Sequence, residues 1–279
     1  MNNTNALLLN RIFSRNTFKE IIDFGYSKTY SATVKKYLAE AGNMTNSECF
    51  SKIYKVLQDE YQNEYYYKNT LLNKLLLGIH STKTTTALTE LPIGKAKADF
   101  VLINGKAIVY EIKTDLDNFD RLASQIENYY KAFTSIVVVT SEGNYLELTK
   151  LLNGTDVGIC VLTNRGHLSI RKAAVENKQF LSKKVMFKIL RKNEYETIIK
   201  KAYGKLPNVS QYEMYRTCME MFEEIDLDKA YNEFIAMLKC RKIIEDDLYK
   251  NIPYELKSVV YFSNLKRNDY QKLYNFLSN

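Results

Sequence analysis

The 279 residues are 46% apolar and 26% charged, with a formal net charge of +8, an ordinary globular balance for a chain long enough to form one large domain or two modest ones. No stretch of 18 apolar residues offers a membrane span, and the start Met1-Asn2-Asn3-Thr4-Asn5 lacks the basic and apolar segments of a secretory signal, so a cytoplasmic protein is expected. Cys49, Cys160, Cys218 and Cys240 are far apart with only His80 and His167 to help, and no Walker loop or Gly-X-Gly-X-X-Gly occurs. Zinc spacing, a Cys/His nucleophile and a nucleotide-binding loop are therefore all missing, and the thiols are expected to be buried and free.

In chain order, residues 5–77 carry helical periodicities. Thr45 or Asn46 is placed to cap a helix from Glu48 to about Tyr61, and a second begins near Gln62. In that second helix the row 64, 68, 71, 75 sets Glu64 in line with Leu71 and Leu75. Strands are expected at about 86–91, 96–103 and 106–113, then a helix over 118–133, a strand at 135–140 and a short helix near 144–153. Two more strands, 157–163 and 167–171, are joined by the turn Asn164-Arg165-Gly166. The fold class expected is mixed α/β, a central sheet flanked by helices.

Beyond Lys172 the pattern is helical only. Ser210-X-X-Glu213 resembles a capping box for a helix to about Glu224, Asp226 starts another reaching about Arg241, and Pro207 and Pro253 mark breaks. Met214, Cys218, Met221, Phe222, Tyr231, Phe234, Ile235 and Leu238 have helix-core spacing, which is read as packing. The expected organisation is an N-terminal helical segment, 1–45, a core, 46–172, and a helical C-terminal region, 173–279, that docks on the core. Between Arg171 and Lys205 eleven Lys/Arg face three Glu, a local balance of +8 that equals the charge of the whole chain. Such a segment suits a phosphate backbone, or equally a solvated helix face.

The most informative stretch runs from Asp99 to Lys113. Asn104-Gly105 stands between two alternating apolar runs, the pattern of a tight hairpin in which both central residues of a type I′ turn take positive φ. Along the second strand Ile108, Tyr110 and Ile112 point one way and Val109, Glu111 and Lys113 the other. Asp99 then comes close to Glu111 and Lys113, and two carboxylates with one lysine at a strand end suit a divalent-metal site with a cation beside it.

Asp99 on one strand and Glu111-Ile112-Lys113 on the next resemble the signature of the PD-(D/E)XK, or restriction-endonuclease-like, nuclease superfamily, although Ala98 stands where that signature has proline. Gln125-Ile126-Glu127-Asn128-Tyr129 is similar to the Gln-X-X-X-Tyr motif of its RecB-like and Cas4-like branch, a spacing that puts Gln125 and Tyr129 on one helix face. The runs from Glu64 to Leu76 and from Tyr110 to Asp120 also look like a bacterial family assigned to this superfamily. The resemblance implies a restriction-endonuclease-like sheet and a Mg2+ or Mn2+ ion held by Asp99, Glu111 and the Ile112 carbonyl. By the same resemblance Lys113 sits over the attacking water, and Gln125 and Tyr129 orient Lys113 or the nucleic-acid backbone.

An upstream helical acid often joins the metal site in this superfamily. Glu64 is the candidate, with Glu90 on the expected strand 86–91 as its competitor. The activity implied is divalent-metal-dependent phosphodiester hydrolysis, on DNA rather than RNA, in a phage-defence or mobile-element setting. The alternatives are a non-cleaving nucleic-acid-binding protein and a protein-interaction module that uses the C-terminal helices. Bland readings also stand: an Asp99 to Lys113 cross-strand pair, a Glu64 to Lys68 helix pair, and a Gln125/Tyr129 amphipathic helix with Leu122, Ile126 and Phe133 in the core.

Overall fold

In the computed structural model, which describes residues 3–38, 42–79, 81–241 and 244–279, six strands form one mixed sheet in sequence order. They are β1 (Thr86–Ile93), β2 (Ala96–Asn104), β3 (Lys106–Lys113), β4 (Ser135–Thr140), β5 (Gly158–Leu162) and β6 (Leu168–Lys172). β1 to β3 are antiparallel, β3, β4 and β5 run parallel, and β6 returns antiparallel. The parallel steps need crossovers, supplied by helices Leu122–Tyr130 and Tyr145–Leu151. The fold is mixed α/β. Met1, Asn2 and His80 lie outside the described residues.

The two strand faces bury separate cores. Phe100, Leu102, Tyr110, Ile112, Val139 and Cys160 pack with the N-terminal helices and with the last helices of the chain, Lys257–Phe262 and Arg267–Ser278. Val101, Ile103, Val109, Ile136, Val138 and Ile159 pack with Leu122–Tyr130 and with helices Lys183–Ile189, Lys192–Tyr203, Met214–Glu224 and Leu227–Lys239. The packing thus crosses the boundaries expected at 45 and 172. Residues 183–239 cover one face, and residues 246–278 close over the N-terminal helices on the other. The reason is physical: a sheet apolar on both faces needs cover on both sides, and the C-terminal region supplies some to each.

Several elements follow local chemistry closely. Thr45 and Glu48 form a reciprocal capping box for Asn46–Glu60, and Asp226 caps Leu227–Lys239. Cys218, Phe222, Phe234, Ile235 and Leu238 are buried, as their helical spacing requires. Ser210 and Glu213 exchange hydrogen bonds one turn ahead of the regular helix at Met214. Cys49, Cys160 and Cys218 are buried free thiols, whereas Cys240 is exposed.

Three expectations are corrected. The helix from Glu64 is α only to Leu71 and continues as a π-helix, Leu72–Ile79, so its inward residues become Leu71, Leu72 and Leu76, and Leu75 is only half-buried. The stretch 118–121 is not helical and the helix begins at Leu122, because Asp117 folds back to accept from the Thr114 amide and hydroxyl instead of capping a helix. The β2–β3 connection is not a type I′ turn either. Asn104 pairs with Lys106, leaving Gly105 alone at the apex, and of the two only Gly105 has positive φ, at 69°.

Candidate active site

That one-residue apex decides which side chains meet. A two-residue Asn-Gly loop would have set Asp99 opposite Tyr110, on the wrong face, since directly opposed residues share a face. The observed register pairs Phe100 with Tyr110, so one step further Asp99 falls opposite Glu111. On the other side β1 pairs Thr89 with Phe100 and Leu91 with Ala98, which sets Glu90 opposite Asp99. Positions 90, 99 and 111 thus form one row across three strands. At Glu90 the backbone turns left-handed, with φ 55°. That conformation is uncommon for a residue with a side chain and costs about 1–3 kcal/mol.

Glu111 is 1% exposed and Lys113 6%. The Glu111 carboxylate is ringed by donors in place of water. Gln125 Nε2 donates to Oε1 at 2.5 Å, Lys113 Nζ lies 3.2 Å from the same oxygen, and the Tyr129 hydroxyl is 2.6 Å from Oε2. Lys113 also donates to Gln125 Oε1 at 3.0 Å. Gln125 and Tyr129, one turn apart on Leu122–Tyr130, therefore both reach the Glu-X-Lys strand. Burial pushes the Glu111 carboxyl above its ordinary range, and Tyr129, Lys113 and Gln125 pull partly against that rise.

Asp99 accepts from the Ile112 amide at 2.8 Å. In an extended strand a residue's N–H and C=O face the same side, so the Ile112 carbonyl is directed toward β2 as well. Burial, then the charges of Glu111 and Glu64, push Asp99 up to about 8. Its neighbours are acids with too little cation among them, an arrangement that a divalent ion would relieve.

The closest grouping of carboxylates is Glu64, Glu90 and Asp99, each offering an oxygen within 4.8 Å of the others. The expected set of Glu64, Asp99 and Glu111 is thus altered: Glu64 and Glu90 both approach Asp99, whereas Glu111 stands beside this group, held by its three donors. Glu64 and Glu90 share the ammonium of Lys68, which is 2.5 Å from Glu64 and also bonded to Glu90, and Lys97 lies 3.1 Å from Glu90. Burial of Lys68 works against its charge, but the two glutamates outweigh it and raise its pKa. Burial likewise opposes ionisation of Glu90, and Lys68 and Lys97 overcome it, so its carboxyl stays below the ordinary range. Glu64 itself is exposed, contrary to a buried end of an apolar row.

Lys68 and Lys97 are the site residues that the motif reading passed over. Lys68 had been visible as the helix partner of Glu64, and Lys97 lies two residues before Asp99, on the same strand face. Four carboxylates and three ammonium groups thus gather along β1 to β3. The ligand atoms that the carboxylates offer are all oxygen, the chemistry that suits magnesium or manganese.

The basic segment is partly matched from within. Arg171 pairs with Glu142, Lys178 with Asp228 and Lys201 with Glu233. Lys172 donates to the carbonyls of Leu152 and Thr155, and Lys183 to those of Glu223 and Ile225 at the end of Met214–Glu224. Lys184, Lys188, Arg191, Lys200 and Lys205 are exposed.

The family of bacteriophage P4 protein cII matches the chain over residues 57–275, and the chain belongs to that family. Every residue of the candidate site lies inside the matched span. Protein cII of Enterobacteria phage P4 is 26% identical over 149 residues, which cover 52% of this chain and 54% of that protein. The chain thus spans about half the length of the curated relative it matches. A solved structure described as SPO1766, a protein of unknown function from Silicibacter pomeroyi, is 16% identical over 34% of this chain and 64% of its own, with a TM-score of 0.27. An overlap that slight carries no argument about the fold.

Proposed function

We propose that this member of the P4 cII family is a divalent-metal-dependent nuclease related to the PD-(D/E)XK superfamily, acting in the cytoplasm on DNA in preference to RNA. The observation that carries the reading is Asp99 across from Glu111 and Lys113 on one face, with Gln125 and Tyr129 locked onto the Glu-X-Lys pair. Glu64 and Glu90 at the open side add two further carboxylates beside Asp99.

Asp99 and Glu111, with Glu64 or Glu90 and the Ile112 carbonyl, would hold the ion. When bound, magnesium or manganese neutralises the scissile phosphate and makes water a better nucleophile at neutral pH. Lys113 contributes a fixed positive charge at the edge of the same cluster, where negative charge grows on the phosphate oxygens during hydrolysis. Gln125 is a positioning residue, because its amide bridges Lys113 and Glu111 and keeps both from turning away. Tyr129 does the same for Glu111 from the other oxygen. Incubation with plasmid, linear duplex, single-stranded DNA and RNA, in magnesium or manganese and in EDTA, tests the reading. Metal-dependent cleavage of at least one substrate is expected, and none with any substrate would reject it.

A non-cleaving nucleic-acid-binding role draws support from one feature. The Lys68 ammonium already lies between Glu64 and Glu90 and offsets part of their charge without any ion. Substrate binding with no cleavage in either metal would favour that role.

A further inference from the structure

A cavity of about 270 Å³ runs along the outer edge of β1, walled by residues 87–92 of the strand and by three arginines, Arg15, Arg191 and Arg241. β1 is an edge strand, so no further strand among the described residues occupies this side. Arg241 is half-buried and internally matched, donating to both Glu194 oxygens and to the Ile189 carbonyl at 2.5–2.8 Å. It forms a fixed part of the wall. Arg15 and Arg191 differ: both are exposed and neither makes an ion-pair contact among the described residues, although the Arg191 charge helps to hold the Glu194 carboxyl down. Arg15 opens the ten-residue helix Arg15–Phe24, and Arg191 immediately precedes the twelve-residue helix Lys192–Tyr203. Each therefore adds its charge where a helix dipole is already positive.

Among the described residues the cavity's one acidic wall residue is Glu90, which is matched by Lys68 and Lys97 and also belongs to the Glu64, Glu90 and Asp99 group. The cavity and the candidate site therefore share a wall. Two exposed guanidinium groups outside any ion-pair contact, on a shared cavity, have the planar donor geometry that phosphate oxygens accept.

We propose that this cavity seats a backbone phosphate of the nucleic-acid strand that lies across the acidic cluster, with Arg15 and Arg191 as its ligands. The proposal rests on the nucleic-acid reading above and names where the strand is gripped. It also picks out Arg191 from the basic segment as the residue that faces the site.

The test measures binding of a fluorescent 30-mer DNA duplex and its single strand to the full chain in EDTA across a salt series. Wild type is compared with Arg15→Gln/Arg191→Gln and with Lys200→Gln/Lys205→Gln, which removes the same charge elsewhere. The arginine pair should weaken binding about tenfold at low salt. It should also flatten the log–log salt dependence by about two, one for each lost phosphate contact. The lysine pair should change the slope by much less. Equal effects of the two pairs, an unchanged slope in the arginine pair, or no DNA binding by wild type would each overturn the proposal. A thermal shift with inorganic phosphate, lost in the arginine pair but without oligonucleotide binding, would mark a small-anion site and overturn it too. Cleavage by the same proteins in magnesium separates the two claims. Lost binding in the arginine pair with no cleavage by wild type keeps the cavity and rejects the nuclease, and the converse result does the reverse.

Discussion

The Tyr129 hydroxyl stands 2.6 Å from Glu111 Oε2 and 2.9 Å from the Lys97 carbonyl, so one side chain ties the acid of β3 to the backbone of β2. Glu111 has almost no access to water, and each of its three donors substitutes for lost hydration. Tyr129→Phe keeps the ring in the core and deletes only this link. The variant should lose about 1–3 kcal/mol in urea unfolding, the cost of leaving a buried acceptor short of a partner. Unchanged stability would mean that Gln125 and Lys113 alone satisfy the carboxylate.

Asp99 makes the metal-free protein sensitive to pH in a defined direction. Its folded pKa is raised to about 8, whereas an unfolded aspartate titrates near 4. The native state therefore binds more protons than the unfolded state between those values, and stability falls as pH rises through that window. Asp99→Asn cannot ionise. In EDTA its melting temperature should exceed that of wild type by an amount that grows from pH 5 to pH 8 and then levels off. A difference that stays constant over the range would place the shift elsewhere.

Much of the sheet was legible because strand signals are local. Alternation along 106–113 and the apolar run at 135–140 set both strands to the residue, and the parity of Glu111 and Lys113 followed from period two alone. The register was not legible, because Asn104-Gly105 can close with one or two residues at the apex, and the choice determines whether Asp99 meets Glu111. Nor could the sequence separate Glu64 from Glu90, since their convergence depends on how a helix seats against an edge strand, which is a matter of tertiary packing. The π-helix at Leu72–Ile79 carries no residue that announces it, and the division of the C-terminal helices between two sheet faces is a property of tertiary packing.

Lysines of the basic segment should divide by role. Lys183 donates to the terminal carbonyls of Glu223 and Ile225, where a cation also complements the helix dipole, whereas Lys188 is exposed. Lys183→Met should lower stability by about 1 kcal/mol, and Lys188→Gln should leave it within about 0.5 kcal/mol of wild type. Chemical denaturation of the two variants side by side checks this, and equal losses would contradict the assignment.

The central claim is that Asp99, Glu111 and Lys113 perform metal-dependent phosphodiester hydrolysis, and single-turnover cleavage of a nucleic-acid substrate tests it most directly. Wild type should cut in magnesium or manganese and not in EDTA. Lys113→Ala and Glu111→Ala, with native circular dichroism, should fall by about two or more orders of magnitude, as expected for groups aimed at transition-state charge. Cleavage that persists in excess EDTA, or near-wild-type rates in both folded variants, would contradict the account.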